Sequence, residues 1–136
     1  MNKALELRKL CMSTHSSTCV LIGDSFISRL EWRHKILADS YFKDWINLGI
    51  GGDKVENLLW RVKNGDFPRK SRKVFISIGT NNILKNDTLS IANTIIEISE
   101  IIKATGSEVY ICAQYPRTNK EMSDEISKLN SLLQSK

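Results

Sequence analysis

The 136-residue chain has few cysteines and histidines, and it lacks any long hydrophobic run. Its three cysteines cannot all pair, and two of them, Cys19 and Cys112, lie in short apolar runs typical of buried strands. We therefore expect inert core thiols and a reducing compartment. No segment approaches the roughly 20 apolar residues of a membrane span, and the first residues lack the apolar core of a secretory signal. These absences predict a cytoplasmic protein without a membrane span.

The charge is modestly positive, with 20 Lys and Arg against 15 Asp and Glu, giving a net charge of +5. The basic residues are dispersed along the chain, apart from one run at 69–73 that directly precedes an apolar segment. A solvated loop entering a strand is the ordinary explanation of such a run, and a phosphate-binding patch is the alternative. We expect no nucleic-acid partner.

Short apolar runs alternate with segments of helical period, without repeats, low-complexity stretches or linkers. Four runs predict buried strands at 19–22, 45–48, 74–78 and 109–113. Apolar residues spaced three and four apart predict three helices, with stripes at Val55, Leu58, Leu59 and Val62, at Ile91, Ile95, Ile98 and Ile102, and at Met122, Ile126, Leu129 and Leu133. Apolar strands separated by helices predict a single α/β domain over 1–136, whose parallel sheet is covered on both faces.

Three polar, glycine-marked motifs directly follow the first three predicted strands, at 23–25 (GDS), 49–53 (GIGGD) and 79–82 (GTNN). A parallel sheet brings the carboxyl ends of its strands to one edge, where α/β proteins bind their ligands. Each motif alone is a common turn composition. Their joint occurrence at three successive strand ends is what a turn-only interpretation does not explain.

Together the three motifs contain the groups that acyl transfer requires. Ser25 supplies a hydroxyl at a strand-to-helix turn, where the helix N-terminus favours developing negative charge. The backbone N–H groups of Ser25 and Gly52 and the side-chain amide of Asn81 are candidate donors to one oxyanion. Asp24 and Asp53 are expected to order the loops beside these residues, and Asn82 to border the site.

The motifs resemble those of the SGNH (GDSL-type) hydrolase family. The segment 20–25 (VLIGDS) resembles the block of the nucleophile, here Ser25; 47–53 (NLGIGGD) resembles the second block, with Gly52 at the oxyanion glycine; and 79–82 resembles the third, with Asn81 at the oxyanion asparagine. The strings 49–53 and 59–65 (LWRVKNG), with Tyr115-Pro116-Arg117, are most similar to the intracellular platelet-activating-factor acetylhydrolase type. The resemblance spans roughly residues 18–135.

This resemblance implies a flavodoxin-like, three-layer α/β/α sandwich and a serine esterase that hydrolyses a small acyl ester, often an O-acetyl ester of a lipid or sugar. It implies no metal and no organic cofactor. The acetylhydrolases of this type form dimers, which implies a homodimer.

The chain departs from the family at the fourth block, an Asp-x-x-His after a fifth strand. Neither of its two histidines, His15 and His34, lies in such a context. The resemblance therefore implies a domain that lacks the fifth strand and the usual general base. A binding or assembly module that retains the pocket is the alternative to an esterase. A phosphate or nucleotide binder that uses residues 49–52 and the basic run is a third.

Overall fold

The computed structural model describes residues 18–30, 35–65, 67–68 and 70–134. Predictions that concern His15, His34 and Arg69 lie outside the described residues. Four parallel strands form one sheet in the order β2-β1-β3-β4, with bounds β1 Cys19–Gly23, β2 Ile46–Asn47, β3 Lys73–Ser77 and β4 Glu108–Ile111. The predicted parallel α/β fold is confirmed.

Helices connect the strands, as parallel pairing requires. Among the described residues they are α1 Ser25–Ser28, α2 Lys35–Tyr41, α3 Val55–Lys63, α4 Thr88–Lys103 and α5 Lys120–Gln134, with a 3₁₀ turn at Thr80–Asn82. The three apolar stripes of the sequence correspond to α3, α4 and α5. Across the part of the chain that the structure describes, no helix combines the length and the hydrophobicity needed to cross a bilayer.

Alternation along the strands divides the core between the two faces of the sheet. One face carries Val20, Ile22, Val74 and Ile76, each at most 1% exposed, against the apolar stripes of α3, α4 and α5. The opposite face is covered by a smaller cluster, which comprises Leu21, Ile27, Leu30 and Ala38 with Phe26, Phe42, Trp45 and Phe75 packed against it. The two clusters make the sheet the middle layer of a three-layer sandwich.

The fourth strand is less buried than its apolar run predicts, and this expectation was wrong. β4 ends at Ile111, and Tyr110 and Ile111 are 46% and 36% exposed. Cys112 therefore follows the strand, and both it and Cys19 are half-buried rather than sealed in the core. The cause is position: within the described residues β4 pairs only with β3, so it forms the sheet edge.

Candidate active site

The three motifs meet at the carboxyl edge of the sheet, as a parallel arrangement requires. The backbone N–H of Asp24 donates to the carbonyl of Ser77 at 3.2 Å, and that of Ile50 donates to the carbonyl of Gly23 at 2.9 Å. The side-chain amide of Asn81 donates to the carbonyl of Asp53 at 2.9 Å. The first motif is thereby tied to the second strand-end loop and to β3, and the third motif to the second.

Ser25 opens helix α1 immediately after β1. Asp24 is the N-cap, and its Oδ1 accepts from the backbone N–H of Phe26 at 3.1 Å. The turn is tight because Gly23 has φ +150° and a Cβ there would lie 1.9 Å from the carbonyl oxygen of Ser77. Ser25 itself is half-buried, and neither its backbone N–H nor its hydroxyl has a hydrogen-bond partner among the described residues.

The glycine-rich loop passes close to this serine. A Cβ on Gly51 would lie 4.0 Å from the Cβ of Ser25 and 3.8 Å from the hydroxyl of Ser28. Gly52 adopts φ +82°, which favours glycine, and the space around its Cα is open. Within the described part of the chain the N–H of Gly52 has no acceptor. The loop thus leaves this donor available to a ligand.

An ion pair with Arg61 of α3 holds Asp53 in place. Its Oδ2 accepts from Nη2 of Arg61 at 2.6 Å, and both side chains are about nine-tenths buried. Nη1 of the same guanidinium donates to the carbonyl of Leu48 at 3.1 Å, so Arg61 braces both ends of the loop. Burial raises the pKa of the Asp53 carboxyl, and the Arg61 guanidinium opposes that rise. Asp53 therefore orders the loop that contains Gly52.

Asn82 is a structural clasp and does not border open space. It is fully buried, and its Oδ1 accepts from the backbone N–H of Val55, the first residue of α3, at 2.9 Å. Its Nδ2 donates to Glu56 and to Asn86, each at 2.9 Å. Asn82 thereby fixes the 3₁₀ turn that presents Asn81.

A cleft of about 210 Å³ lies beside Ser25, between α1 and the segment after β4. Its other lining residues come from α1 and its two caps, the end of β3, the 3₁₀ turn and the segment after β4. They are Asp24, Phe26, Arg29, Ser77, Thr80, Ala113, Gln114, Tyr115, Pro116 and Arg117. Gly52 and Asn81 are not among them. Ser25 therefore stands at the wall of the cleft.

A buried glutamine forms the polar floor of this cleft. Gln114 is 7% exposed; its Oε1 accepts from the hydroxyl of Thr80 at 2.6 Å, and its Nε2 donates to the hydroxyl of Ser77 at 3.3 Å. Its backbone N–H and carbonyl are both bound by the side chain of Asn130 on α5, at 2.8 and 3.0 Å. The segment after β4 is therefore locked to α5 and to β3.

The electrostatics of the cleft centre on Asp24. Burial, the largest influence, raises the pKa of this carboxyl, while its backbone hydrogen bonds and the positive charge of Arg117 lower it. The buried carboxylate is therefore held at an energetic cost beside the serine. Because its Oδ1 is used as the helix cap, its position supports a role in shaping the turn.

Sequence reasoning identified the residues of the three motifs but missed most of the cleft. No motif marks Gln114, Arg29 or Phe26. The segment Tyr115-Pro116-Arg117 resembles a segment of the acetylhydrolase type, but that resemblance assigns it no function. The two histidines, neither of which matches the histidine of the family's fourth block, lie outside the described residues. Within the described ranges no group of three or more His, Cys, Asp or Glu side chains is arranged to hold a metal ion.

The chain is similar in sequence to curated acetylhydrolase subunits. It is 28% identical over 120 residues to the alpha2 subunit of platelet-activating factor acetylhydrolase IB from Rattus norvegicus, a match that covers 84% of this chain and 52% of the relative. The chain thus spans about half the length of the curated relatives it matches. No family model matches it.

Solved structures share the fold. A lipolytic protein of the G-D-S-L family from Veillonella parvula superposes with a TM-score of 0.73 at 20% identity, covering 88% of this chain and 71% of that one. Axe2, an acetylxylan esterase from Geobacillus stearothermophilus, superposes with a TM-score of 0.68 at 16% identity, covering 89% and 71%. The resemblance that the motifs predicted is confirmed: the chain has the fold of the GDSL (SGNH) lipolytic family and is similar in sequence to platelet-activating factor acetylhydrolase IB subunits.

Proposed function

We propose that this domain is a serine esterase that hydrolyses a small acyl ester, with an O-acetyl ester as the first candidate. The observation that carries the proposal is a pair of backbone N–H groups, those of Ser25 and Gly52, that lie on neighbouring loops beside the Ser25 hydroxyl. None of these three groups has a hydrogen-bond partner among the described residues. A backbone N–H that no protein group uses can donate a hydrogen bond to a ligand. The similarity to acetylhydrolase and esterase structures supports the same assignment.

In the proposed reaction Ser25 Oγ attacks the ester carbonyl, and its proton passes to a general base as the bond forms. The carbonyl oxygen becomes an oxyanion that accepts hydrogen bonds from the N–H groups of Ser25 and Gly52 and from the free amide hydrogen of Asn81. Loss of one such donor costs roughly 3–4 kcal/mol of transition-state stabilisation in a well-studied serine protease. Collapse releases the alcohol, and water then frees the acid. No cofactor is needed for these steps.

We assign the general base to a group outside the described residues. Loss of the histidine of a comparable triad lowers turnover about 10⁶-fold, while the oxyanion hole and binding alone retain roughly 10³-fold over water. Turnover by the 136-residue chain therefore measures directly whether a base is available to Ser25.

The test is the hydrolysis of p-nitrophenyl acetate by the wild-type chain, by Ser25→Ala and by Ser28→Ala. Ser28 is the matched control, since it lies in the same short helix and its hydroxyl only donates to the carbonyl of Ser25 at 3.4 Å. We expect Ser25→Ala to reduce the release of p-nitrophenol to the residual rate that the oxyanion hole and binding alone support, and Ser28→Ala to stay within about threefold of wild type. Mass spectrometry after treatment with a fluorophosphonate should place the adduct on Ser25. Equal rates for wild type and Ser25→Ala, with no adduct, would refute the proposal.

A binding or assembly module is the second candidate, and the observation that favours it is the absence of an Asp-x-x-His sequence from the 136 residues. It predicts ligand binding in the cleft without turnover that depends on Ser25.

The cysteine usage and the similarity to acetylhydrolase subunits support a cytoplasmic location. The homodimer stays a prediction that sedimentation equilibrium can check.

A further inference from the structure

The charged residues of the cleft are unevenly distributed between its depth and its rim. Among the described residues, Asp24 is its only acidic lining residue; it is 3% exposed and bonded to backbone N–H groups. Arg29 and Arg117, the only basic lining residues of that part of the chain, are both exposed. Neither guanidinium is within 4 Å of a carboxylate of the described chain. The rim therefore presents two unpaired guanidinium groups.

Both arginines are held through their backbone, while their side chains have no hydrogen-bond or ion-pair partner among the described residues. Arg29 is the C-cap of α1, and its N–H donates to the carbonyl of Ser25 at 3.0 Å. Arg117 is gripped by Ser123 of α5, whose hydroxyl accepts from the Arg117 N–H at 2.9 Å and donates to the Arg117 carbonyl. A guanidinium group binds a carboxylate or a phosphate through paired N–H donors.

Two aromatic rings line the same cleft as these charges. Phe26 and Tyr115 both line the cleft, with centroids 5.3 Å apart and ring planes inclined at 59°. Tyr115 is 58% exposed, so much of its surface is open to a ligand. The cleft thus combines an apolar wall, a serine and a cationic rim.

We propose that the cleft selects acyl esters that carry an anionic group, a carboxylate or a phosphate, which Arg29 and Arg117 bind while the ester lies at Ser25. This inference rests on the proposed function, because it takes the cleft beside Ser25 as the substrate site. The positive charge of Arg117 acts on Asp24 as well, but neither rim guanidinium is within 4 Å of a carboxylate of the described chain, so both can take an anion of the ligand.

Binding is measured with amides that resist hydrolysis, so the test does not need turnover. The probes are 4-acetamidobenzoate with its neutral partner 4-acetamidobenzamide, and 4-acetamidophenyl phosphate with its neutral partner 4-acetamidophenol. Titration calorimetry on the full chain compares wild type with Arg29→Gln, Arg117→Gln and the double variant. Arg72→Gln is the matched control, because Arg72 is an exposed arginine that precedes β3, at the opposite end of the strands from the cleft.

We expect at least one anionic probe to bind about fivefold or more tightly than its neutral partner, and each cleft substitution to weaken it about three- to fivefold. Arg72→Gln should change the affinity by less than about twofold, and added salt should weaken the anionic probe alone. A higher affinity for the phosphate or for the carboxylate identifies which anion the substrate carries. Equal affinity for charged and neutral probes, no binding of either anion, or an equal effect of all three arginine substitutions would overturn the inference.

The esterase assay keeps this inference separate from the proposed function. Hydrolysis that depends on Ser25 without a preference for anions would refute the inference alone. A preference for anions that depends on both arginines, without hydrolysis that depends on Ser25, would refute the esterase and leave an anion-binding module.

Discussion

Asp24 is a buried carboxylate that combines a useful hydrogen bond with an unfavourable charge. Its Oδ1 caps α1, yet burial raises its pKa above the ordinary value of 3.8. Between 3.8 and the raised value, the folded protein holds a proton that the unfolded chain has released. The free energy of unfolding therefore falls as the pH rises through this window, by about 1.4 kcal/mol for each pH unit between the two pKa values. Above the window that loss is complete.

We therefore predict that Asp24→Asn is more stable than wild type at pH 7 and similar to it below pH 3.8. Asparagine keeps the capping acceptor and removes the charge, whereas Asp24→Ala also loses the cap and about 1 kcal/mol with it. Urea denaturation between pH 3 and pH 8 measures each difference. Asp87→Asn, at the exposed N-cap of α4, is the control and should change stability by less than about 0.5 kcal/mol. A wild type that is the more stable protein at pH 7 would contradict this account of the buried charge.

The side chain of Asn82 joins two elements, the 3₁₀ turn and helix α3, through hydrogen bonds. Asn82 accepts from the first backbone N–H of α3 and donates to Glu56 one residue later. The N-terminal N–H groups of a helix have no partner within the helix, so α3 depends on this contact from outside. The turn that presents Asn81 and the helix that follows Gly52 therefore hold one another in place.

We predict that Asn82→Ala lowers the free energy of unfolding by about 1–3 kcal/mol, since it leaves the buried N–H of Val55 without an acceptor. It should also lower the rate of any hydrolysis that depends on Ser25, because Asn81 loses its support. Asn86→Ala is the control: Asn86 is exposed and accepts only one hydrogen of Asn82, so its loss should cost less. Urea titration and the p-nitrophenyl acetate assay give the two readings. Equal costs for the two variants would show that the clasp does not support the turn.

At the scale of the whole molecule, the spacing of apolar residues predicted the strands and helices, because these depend on the local sequence. The four apolar runs became the four parallel strands, and the three stripes became α3, α4 and α5. The run at 109–113 misled because burial depends on what lies beside a strand, and β4 is an edge. The cleft was missed for a related reason, since Arg29 and Gln114 are far apart in sequence and the fold alone brings them together.

The packing of α5 against the site turn gives a prediction for the whole domain. Gly79 precedes the 3₁₀ turn with φ +122°, and a Cβ there would lie 3.3 Å from Cδ2 of Leu129 and 3.4 Å from Cδ1 of Ile95. Leu129 is fully buried, so Leu129→Ala should cost about 2–5 kcal/mol and leave a cavity beneath the turn. Leu133→Ala, on the same helix and only partly buried, is the control and should cost less.

Because the cavity lies under Gly79, the turn should also lose its fixed position while the protein is still folded. We therefore expect Leu129→Ala to lower any hydrolysis that depends on Ser25 at temperatures well below its unfolding midpoint, where Leu133→Ala retains it. Thermal unfolding by circular dichroism, followed by the p-nitrophenyl acetate assay on the folded variants, separates the two effects. Full activity in a destabilised Leu129→Ala would mean that α5 stabilises the domain without positioning the turn. The contacts of α5 with the site would then be those of Asn130 with Gln114 and of Ser123 with Arg117.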